Sequence, residues 1–219
     1  QAYGCPWNEI FAFISDTPLG SASIAQVHRA ELLSGEQVVI KVQRTGIYEI
    51  MARDIGLLRK AVKLMPPISL KGMADFDQVL DELWNVTREE MNFLTEASNM
   101  EEFARRNADV VYVRTPKLYQ EYTTMHVLVM EYIEGPAIDD KEKLLAGGYD
   151  LEEIGIKLID NYIKQVMEDG FFHADPHPGN VKIQDGKIVW IDMGMMGRLT
   201  ERDKEPVSYT HLRAHETAA

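Results

Sequence analysis

Residues 173–180 read His-Ala-Asp-Pro-His-Pro-Gly-Asn, and residues 191–194 read Ile-Asp-Met-Gly. These two segments place a carboxylate at Asp175, an amide at Asn180 and a second carboxylate at Asp192. Phosphoryl transfer requires little covalent chemistry from a protein, because positioning and charge neutralisation do most of the work. Asp175 is suited to orient an acceptor hydroxyl, and the other two side chains supply the oxygen ligands that Mg²⁺ prefers. The pattern therefore predicts a site for a metal nucleotide.

The loop at residues 173–180 also permits two other interpretations. Its prolines and glycine restrict the turn, so that Asp175 and Asn180 can point into one space, but such residues also occur in plain turns whose polar groups cap each other. A transition-metal site formed by His173, Asp175 and His177 is the second alternative, since nitrogen and carboxylate ligands suit zinc or iron. The prolines disfavour the regular strand that this alternative needs. We expect His173 to brace the loop rather than to take part in chemistry.

Composition limits the class of protein. The chain has 219 residues, 45% of them hydrophobic, which is ordinary for a globular core. Acidic residues outnumber basic ones 35 to 23, for a formal net charge of -12, so a broad nucleic-acid surface is not expected. Cys5 is the only cysteine, which excludes an intrachain disulfide and makes a reducing compartment the default.

The sequence has no run of eighteen apolar residues, so no membrane span is expected within it. It does not begin with Met, and both ends look cut. We expect residues 1–133 to form one lobe and residues 134–205 part of a second, with 206–219 a non-native or disordered tail. The helically spaced pair His211 and His215 falls in that tail and is expected to be inert.

Hydrophobic periodicity predicts the main elements. The expected strands are 24–33 and 36–43 around Ser34-Gly35, then 110–113, 117–122 and 125–133, and finally 181–183 and 187–191 around Asp185-Gly186. The expected helices are 47–65 ended by Pro66-Pro67, an unbroken helix over 76–106, and 151–168 ended by Gly170. A lobe hinge is expected at residues 131–135, where Glu131 and Ile133 are candidate nucleotide contacts.

Lys41 is the single charge in the apolar strand segment at residues 38–42. Because an unpaired buried ammonium is costly, we expect it to contact the α- and β-phosphates and to be held by a helix glutamate. Glu90 and Glu96 are the candidates for that glutamate. On one continuous helix they would face different sides, so both cannot serve equally well. Each could equally be an ordinary solvated helix acid.

A loop of small residues precedes the first strand pair, and its candidate nucleotide contacts are Gly20, Ser21, Ala22 and Ser23. Small residues let backbone N–H groups approach phosphates closely. Ala22 stands where a phosphate loop usually has glycine, which stiffens the backbone.

Four segments together resemble the UbiB/AarF family of atypical protein-kinase-like, ABC1-type proteins. They are residues 21–28, 39–43, 90–97 and 171–180, and the resemblance extends over residues 6–205. It implies an α+β bilobal protein-kinase-like fold, with an antiparallel sheet and long helices in the first lobe and a truncated helical second lobe. It also implies ATP and Mg²⁺ as cofactors and a role supporting ubiquinone or isoprenoid-lipid metabolism at a membrane.

The resemblance assigns a role to each matching residue. Lys41 would be the phosphate lysine, Glu90 or Glu96 its partner, Asp175 the catalytic aspartate, and Asn180 and Asp192 the metal ligands. Three departures stand out. The family's upstream Lys-x-Gly-Gln motif is absent from this sequence. Met193 stands where the family's Asp-Phe-Gly triplet commonly has Phe. The second lobe is expected to stop soon after Arg198.

The resemblance implies an atypical kinase or ATPase that acts on a small molecule or lipid rather than on proteins. A phosphotransferase of the aminoglycoside or choline kinase kind is one alternative, because it shares the same Asp and Asn arrangement. A nucleotide-gated scaffold that organises a lipid-biosynthetic or quinone-biosynthetic complex is another, because its binding residues would be the same. We expect a location on the cytoplasmic side, peripheral to a membrane and attached through parts outside this chain.

Overall fold

A computed structural model describes residues 2–64 and 76–200. The chain divides into two compact units, one formed by Gln1–Thr95 and Tyr119–Glu131 and the other by Glu96–Leu118 and Tyr132–Ala219. The chain passes from one unit to the other three times, and the third passage, after Glu131, falls in the segment predicted as the hinge. Residues 96–118, assigned to the first lobe from the sequence, group with the second unit instead. The predicted tail at 206–219 and the proline pair at 66–67 lie outside the described residues.

Ten strands and five α-helices are present among the described residues. The strands are β1 (Phe11–Ile14), β2 (Gly20–Ser21), β3 (Ala25–Leu32), β4 (Gln37–Gln43), β5 (Val113–Arg114), β6 (Val127–Glu131), β7 (Phe171–His173), β8 (Val181–Gln184), β9 (Lys187–Trp190) and β10 (Met196–Arg198). The helices are α1 (Ile47–Leu64), α2 (Phe76–Glu90), α3 (Phe93–Arg106), α4 (Lys141–Ala146) and α5 (Leu151–Ile163). This content confirms the predicted α+β class.

The first unit contains one antiparallel sheet in the order β1-β3-β4-β6, with β2 paired to β3. The predicted hairpin joins β3 to β4 at Gly35, whose φ of 97° is readily reached only by glycine. Strand β4 is central, and Val38, Val39 and Ile40 are all buried in it. Because successive side chains of a strand point to opposite faces, these three buried neighbours show that both faces are covered there, and the segment reads as an apolar run rather than as an alternation.

The prediction of one unbroken helix over 76–106 is wrong in one respect. The helix is interrupted after Glu90, and a second helix begins at Phe93. Asn92 stands at the break, and its side-chain oxygen accepts a hydrogen bond from the Leu94 N–H at 3.1 Å. An Asn that caps the following helix in this way competes with continuation of the preceding one. The break is also held within the first unit by Gln43, whose Nε2 donates to the Met91 carbonyl at 2.7 Å.

The strand predicted over 117–122 is also wrong. A short 3₁₀ turn, Gln120–Tyr122, occupies this segment. The buried Tyr119 donates its N–H to the Val129 carbonyl, and its own carbonyl accepts the Tyr122 N–H. A single turn closed in this way cannot extend into a strand ladder.

The second unit holds a three-stranded sheet in the order β5-β9-β8 and a two-stranded pair of β7 with β10. The predicted turn joins β8 to β9, and Asp185 and Gly186 have φ values of 52° and 74°. Two successive positive values are typical of a tight hairpin turn. The helix predicted over 151–168 ends at Ile163 and continues as a π-helical turn, Lys164–Asp169, which Gly170 closes in the left-handed conformation.

Within the described ranges, none of the helices combines the length and hydrophobicity that a membrane crossing requires.

Candidate active site

In the loop after β7, the side chain of Asn180 is hydrogen-bonded to the main chain of Asp175. The Asn180 Nδ2 donates to the Asp175 carbonyl oxygen at 3.1 Å, which closes the loop on itself. Asp175 is exposed and Asn180 is half-buried. Because the amide nitrogen of Asn180 is the atom used in this closure, its side-chain oxygen remains as the group suited to a cation.

The β8–β9 hairpin brings Asn180 next to Asp192. The Ile191 N–H donates to the Asn180 carbonyl at 2.9 Å, just beyond the last strand pair, and Asp192 is the next residue. One carboxylate oxygen of Asp192 accepts the Gly194 N–H at 2.9 Å. The hairpin thus places the predicted amide ligand and the predicted acidic ligand at the same end of one sheet.

His173 links the two halves of this site. Its ring is 1% exposed and stacks on Trp190 at a centroid distance of 5.0 Å. Its Nε2 lies 2.5 Å from the Asp192 carbonyl oxygen, and its Nδ1 accepts the Asp175 N–H at 3.2 Å. Burial lowers the pKa of His173 below its ordinary value, which favours the neutral ring. The side chain therefore acts as a brace, as its position in the sequence suggested.

The oxygen donors of Asn180 and Asp192 fit a Mg²⁺ ion. That ion usually keeps several waters and is held by one or two carboxylates together with substrate phosphates, so a small protein donor set is sufficient. In the part of the chain that the structure describes, no three His, Cys, Asp or Glu side chains are grouped to hold a metal.

The alternative transition-metal site at His173, Asp175 and His177 is not supported. Both ring nitrogens of His173 are already hydrogen-bonded, and the Nδ1 of His177 accepts the Gly179 N–H at 3.0 Å. A ligand nitrogen must keep its lone pair for the metal, so His173 has no nitrogen left to bind one, and His177 cannot use Nδ1.

The structure separates the two candidate glutamates. Glu96 is 4% exposed in the first turn of α3, whereas Glu90 is the exposed last residue of α2. A Cβ built on Gly194 would lie 3.6 Å from a carboxylate oxygen of Glu96 and 3.1 Å from one of Asp192. Glu96 is therefore next to the segment that carries Asp192. The two residues lie on different helices, so the expectation that they face different sides of one helix is wrong.

Lys41 lies on β4 in the first unit, where it pairs with Val27 and Leu128 in the sheet. It is half-buried, and its ammonium stands 5.6 Å from the centre of the Phe93 ring. Its predicted contact with nucleotide phosphates and with a helix glutamate stays a prediction.

The small-residue loop is a tight turn between β2 and β3. The Ala22 N–H donates to the Ala25 carbonyl at 2.9 Å, so this donor is not available to a phosphate. Arg44, which the sequence analysis did not single out, donates to the Ser21 hydroxyl at 2.6 Å and to the Ala22 carbonyl at 3.0 Å. Gly20 and Ser21 form β2 itself, and Ser23 is exposed.

In the predicted hinge, Glu131 ends β6 and pairs with Val38. Ile133 is buried, and its carbonyl accepts a hydrogen bond from the Lys182 ammonium at 2.9 Å. Burial lowers the pKa of Lys182. Lys182 was not among the predicted site residues, although it is the one charge in the strand segment at 181–183.

Two buried amides, Asn161 and Gln165, were also not predicted, and they are 1% and 0% exposed. Ile159 fits the apolar period of the helix predicted over 151–168, yet its side chain is 59% exposed. The available signal was the spacing of the two amides, which continues the row of Ile154 and Leu158 along the helix.

The chain matches the profile of the ABC1 atypical kinase-like domain over residues 1–217. An uncharacterized protein encoded in the hydrogenase 1 5′ region of Clostridium pasteurianum is 44% identical over 191 residues, which is 87% of this chain and 36% of that protein. The chain spans between a quarter and two fifths of the length of the curated relatives it matches.

Solved structures share the fold. The Rv3197 protein of Mycobacterium tuberculosis, solved with erythromycin, aligns with a TM-score of 0.68 and 30% identity over 89% of this chain and 49% of its own. The Rio2 kinase of Chaetomium thermophilum, solved as an ADP/Mg²⁺-phosphoaspartate complex, aligns with a TM-score of 0.51 and 13% identity over 89% of this chain and 51% of its own. The second likeness shows the fold alone, which is kinase-like. The chain belongs to the ABC1 atypical kinase-like family.

Proposed function

We propose that this chain is the nucleotide-binding core of an atypical kinase or ATPase that transfers the terminal phosphoryl group of ATP with the aid of Mg²⁺. The proposal rests on the hydrogen bonds that bring three residues, Asp175, Asn180 and Asp192, to the same end of the β8–β9 hairpin. Asn180 is tied to the loop of Asp175 on one side and to the strand before Asp192 on the other. Phosphoryl transfer needs this combination of an orienting carboxylate and oxygen ligands.

Each residue has a distinct task in the proposed reaction. The exposed carboxylate of Asp175 orients the acceptor hydroxyl or water and accepts its proton. Asn180 and Asp192 would hold Mg²⁺, which neutralises phosphate charge when bound. The proposed task of His173, as a neutral ring, is to hold the segments that carry Asp175 and Asp192 close to each other. The proposed task of Lys41, on β4, is to neutralise the α- and β-phosphates.

The wider role that we propose is support of ubiquinone or isoprenoid-lipid metabolism, with a small-molecule or lipid hydroxyl as the acceptor. The partners would then belong to an isoprenoid-lipid or quinone-biosynthesis complex on the cytoplasmic side of a membrane. The family resemblance in residues 171–180 supports this role.

Nucleotide binding is tested by thermal unfolding with ATP, with and without Mg²⁺. A ligand at about 100 times its Kd raises the apparent free energy of unfolding by about 2.7 kcal/mol, so a clear rise in Tm is expected only when both are present. Asp192→Asn should abolish the Mg²⁺-dependent part of the rise. Asp109→Asn, which removes the same charge from an exposed turn, is the matched control. An equal rise in the Asp192 variant would contradict the proposal.

Turnover is tested by phosphate release from Mg-ATP, with and without isoprenoid phenols or lipids. Asp175→Asn should remove most of the release while leaving the rise in Tm intact, because Asp175 acts on the acceptor rather than on the nucleotide. Binding without release by the unchanged protein would instead favour the scaffold. Release that depends on an aminoglycoside or choline acceptor would favour the small-molecule phosphotransferase.

A further inference from the structure

Three buried amides and an indole form a continuous hydrogen-bonded row in the second unit. The Asn161 Nδ2 donates to the Asn107 Oδ1 at 2.7 Å. The Asn161 Oδ1 accepts from the Gln165 Nε2 at 2.8 Å and from the Trp190 indole N–H at 3.1 Å. The row ends where the Gln165 Oε1 accepts the backbone N–H of His173 at 3.0 Å. It therefore runs from the end of α3 to the first residue of the active-site loop.

Fixed groups at both ends determine the orientation of every amide in this row. The Phe103 carbonyl can only accept, so the group that Asn107 presents to it at 3.0 Å is Nδ2. The Trp190 indole and the His173 backbone N–H can only donate, so Asn161 and Gln165 present oxygens to them. Only one arrangement satisfies all the contacts, and a flipped amide would leave a buried donor facing a donor.

The backbone that carries Gln165 is itself unusual. This residue lies in the π-helical turn Lys164–Asp169 that follows α5. Wide turns of this kind are rare and occur frequently at functional sites. Burial of three amides is favourable only when each is fully satisfied, so an apolar helix end would have packed here with less constraint. The amides are thus suited to set a position rather than to add stability.

We propose that Asn161 and Gln165 are positioning residues for phosphoryl transfer, which they serve by holding the backbone of His173 and the ring of Trp190. The ring of His173 in turn hydrogen-bonds to the Asp175 N–H and the Asp192 carbonyl, so the position of His173 fixes the position of both segments. The inference rests on the proposed function, since it names further residues that serve the same site. Neither amide touches nucleotide or acceptor, so neither is a catalytic residue.

The test compares Gln165→Met with Leu144→Ala in the whole chain. Met has nearly the same length as Gln but cannot accept the His173 N–H. Leu144 is 1% exposed on α4, and its truncation is the control for a loss of core stability. Gln165→Asn, which keeps an amide but shortens it, serves as a milder variant if the Met variant does not fold.

Hydrogen exchange at the amides of residues 173–180 is the readout that does not depend on activity. We expect Gln165→Met to raise these exchange rates about tenfold or more beyond the change that its loss of global stability explains. In Leu144→Ala the loss of global stability should account for the whole change in these rates. Equal effects in the two variants, or no effect in the Gln165 variants, would overturn the inference.

Kinetics supply the second readout. The kcat of Gln165→Met should fall about tenfold, equivalent to about 1.4 kcal/mol, while the Kd for Mg-ATP stays within about twofold of the unchanged protein. A rise in Kd with unchanged kcat would contradict positioning. An absence of turnover in the unchanged protein would defeat the proposed function, and the exchange experiment would still decide whether the row holds the loop.

Discussion

The ring of His173 bridges the two acidic segments of the site, donating from Nε2 to the Asp192 carbonyl and accepting the Asp175 N–H at Nδ1. This pair of contacts requires the neutral ring. A second proton would turn Nδ1 into a donor that faces the donor of Asp175. The brace is therefore tied to the protonation state of one buried side chain.

Stability should accordingly fall on mild acidification. Burial lowers the pKa of His173 in the folded state, so below about 6.5, its ordinary value, the unfolded chain binds the proton more readily. The contribution of His173 is present above that pH and is lost as the pH falls toward the lowered folded-state pKa. Urea unfolding between pH 8 and pH 5 measures how steeply the free energy of unfolding changes with pH. His173→Asn should reduce this slope. Parallel slopes in the two proteins would contradict this prediction.

A second acid-sensitive contact joins Glu102 on α3 to Arg198 on β10 at 2.6 Å, and Arg106 adds a bond at 2.7 Å. The hydrogen bond from Arg198 is the main reason that the pKa of Glu102 is lowered to about 2. The stabilisation that Glu102 provides should be fully present above about pH 4.5, the ordinary pKa of the group, and should be lost as the pH falls toward about 2.

Glu102→Gln should therefore lower the free energy of unfolding at pH 7 by about 1 kcal/mol, a value typical of well-formed ion pairs. The same change at Glu101, an exposed neighbour on the same helix, should alter it by less than about 0.5 kcal/mol. Equal losses in the two variants, measured by denaturant unfolding, would show that the ion pair contributes nothing specific.

Gly135 should not tolerate a side chain. Its φ is 149°, and an added Cβ would lie 2.2 Å from the Ile183 carbonyl oxygen. Gly135→Ala should therefore destabilise the protein by about 2 kcal/mol. Gly155→Ala, in the interior of α5 with no atom within 4 Å of the added Cβ, should stabilise it by about 0.5 kcal/mol. Thermal unfolding of both variants decides the matter, and the prediction fails if their Tm values shift in the same direction.

The two candidate glutamates should separate in a kinetic test. Glu96 is buried next to Gly194 and Asp192, so Glu96→Gln changes the charge beside the proposed metal ligand. Phosphate release should fall at least about tenfold in this variant. Glu90→Gln alters only an exposed helix end and should release phosphate at the unchanged rate. A larger loss at Glu90 than at Glu96 would reverse the assignment.

Local patterns were sufficient for elements whose signals lie within a few residues. The β3–β4 hairpin, helix α1 and the turn at Asp185 follow from glycine positions and hydrophobic periodicity, which act over one or two turns of chain. The break at Asn92 was missed because an Asn within a helical pattern has two outcomes. It can point to solvent, or it can cap a new helix, as it does here.

The amino-acid sequence was enough to predict that Asp175, Asn180 and Asp192 lie near one another, because they belong to one loop and the adjacent hairpin, where spacing nearly dictates proximity. It could not distinguish Glu96 from Glu90, reveal that burial lowers the pKa of His173, or show that Asn161 and Gln165 are buried on the face expected to be apolar. Those properties depend on burial and on hydrogen-bond partners from distant parts of the chain. Only the packing of α3, α5 and the β8–β9 hairpin within one unit brings such partners together.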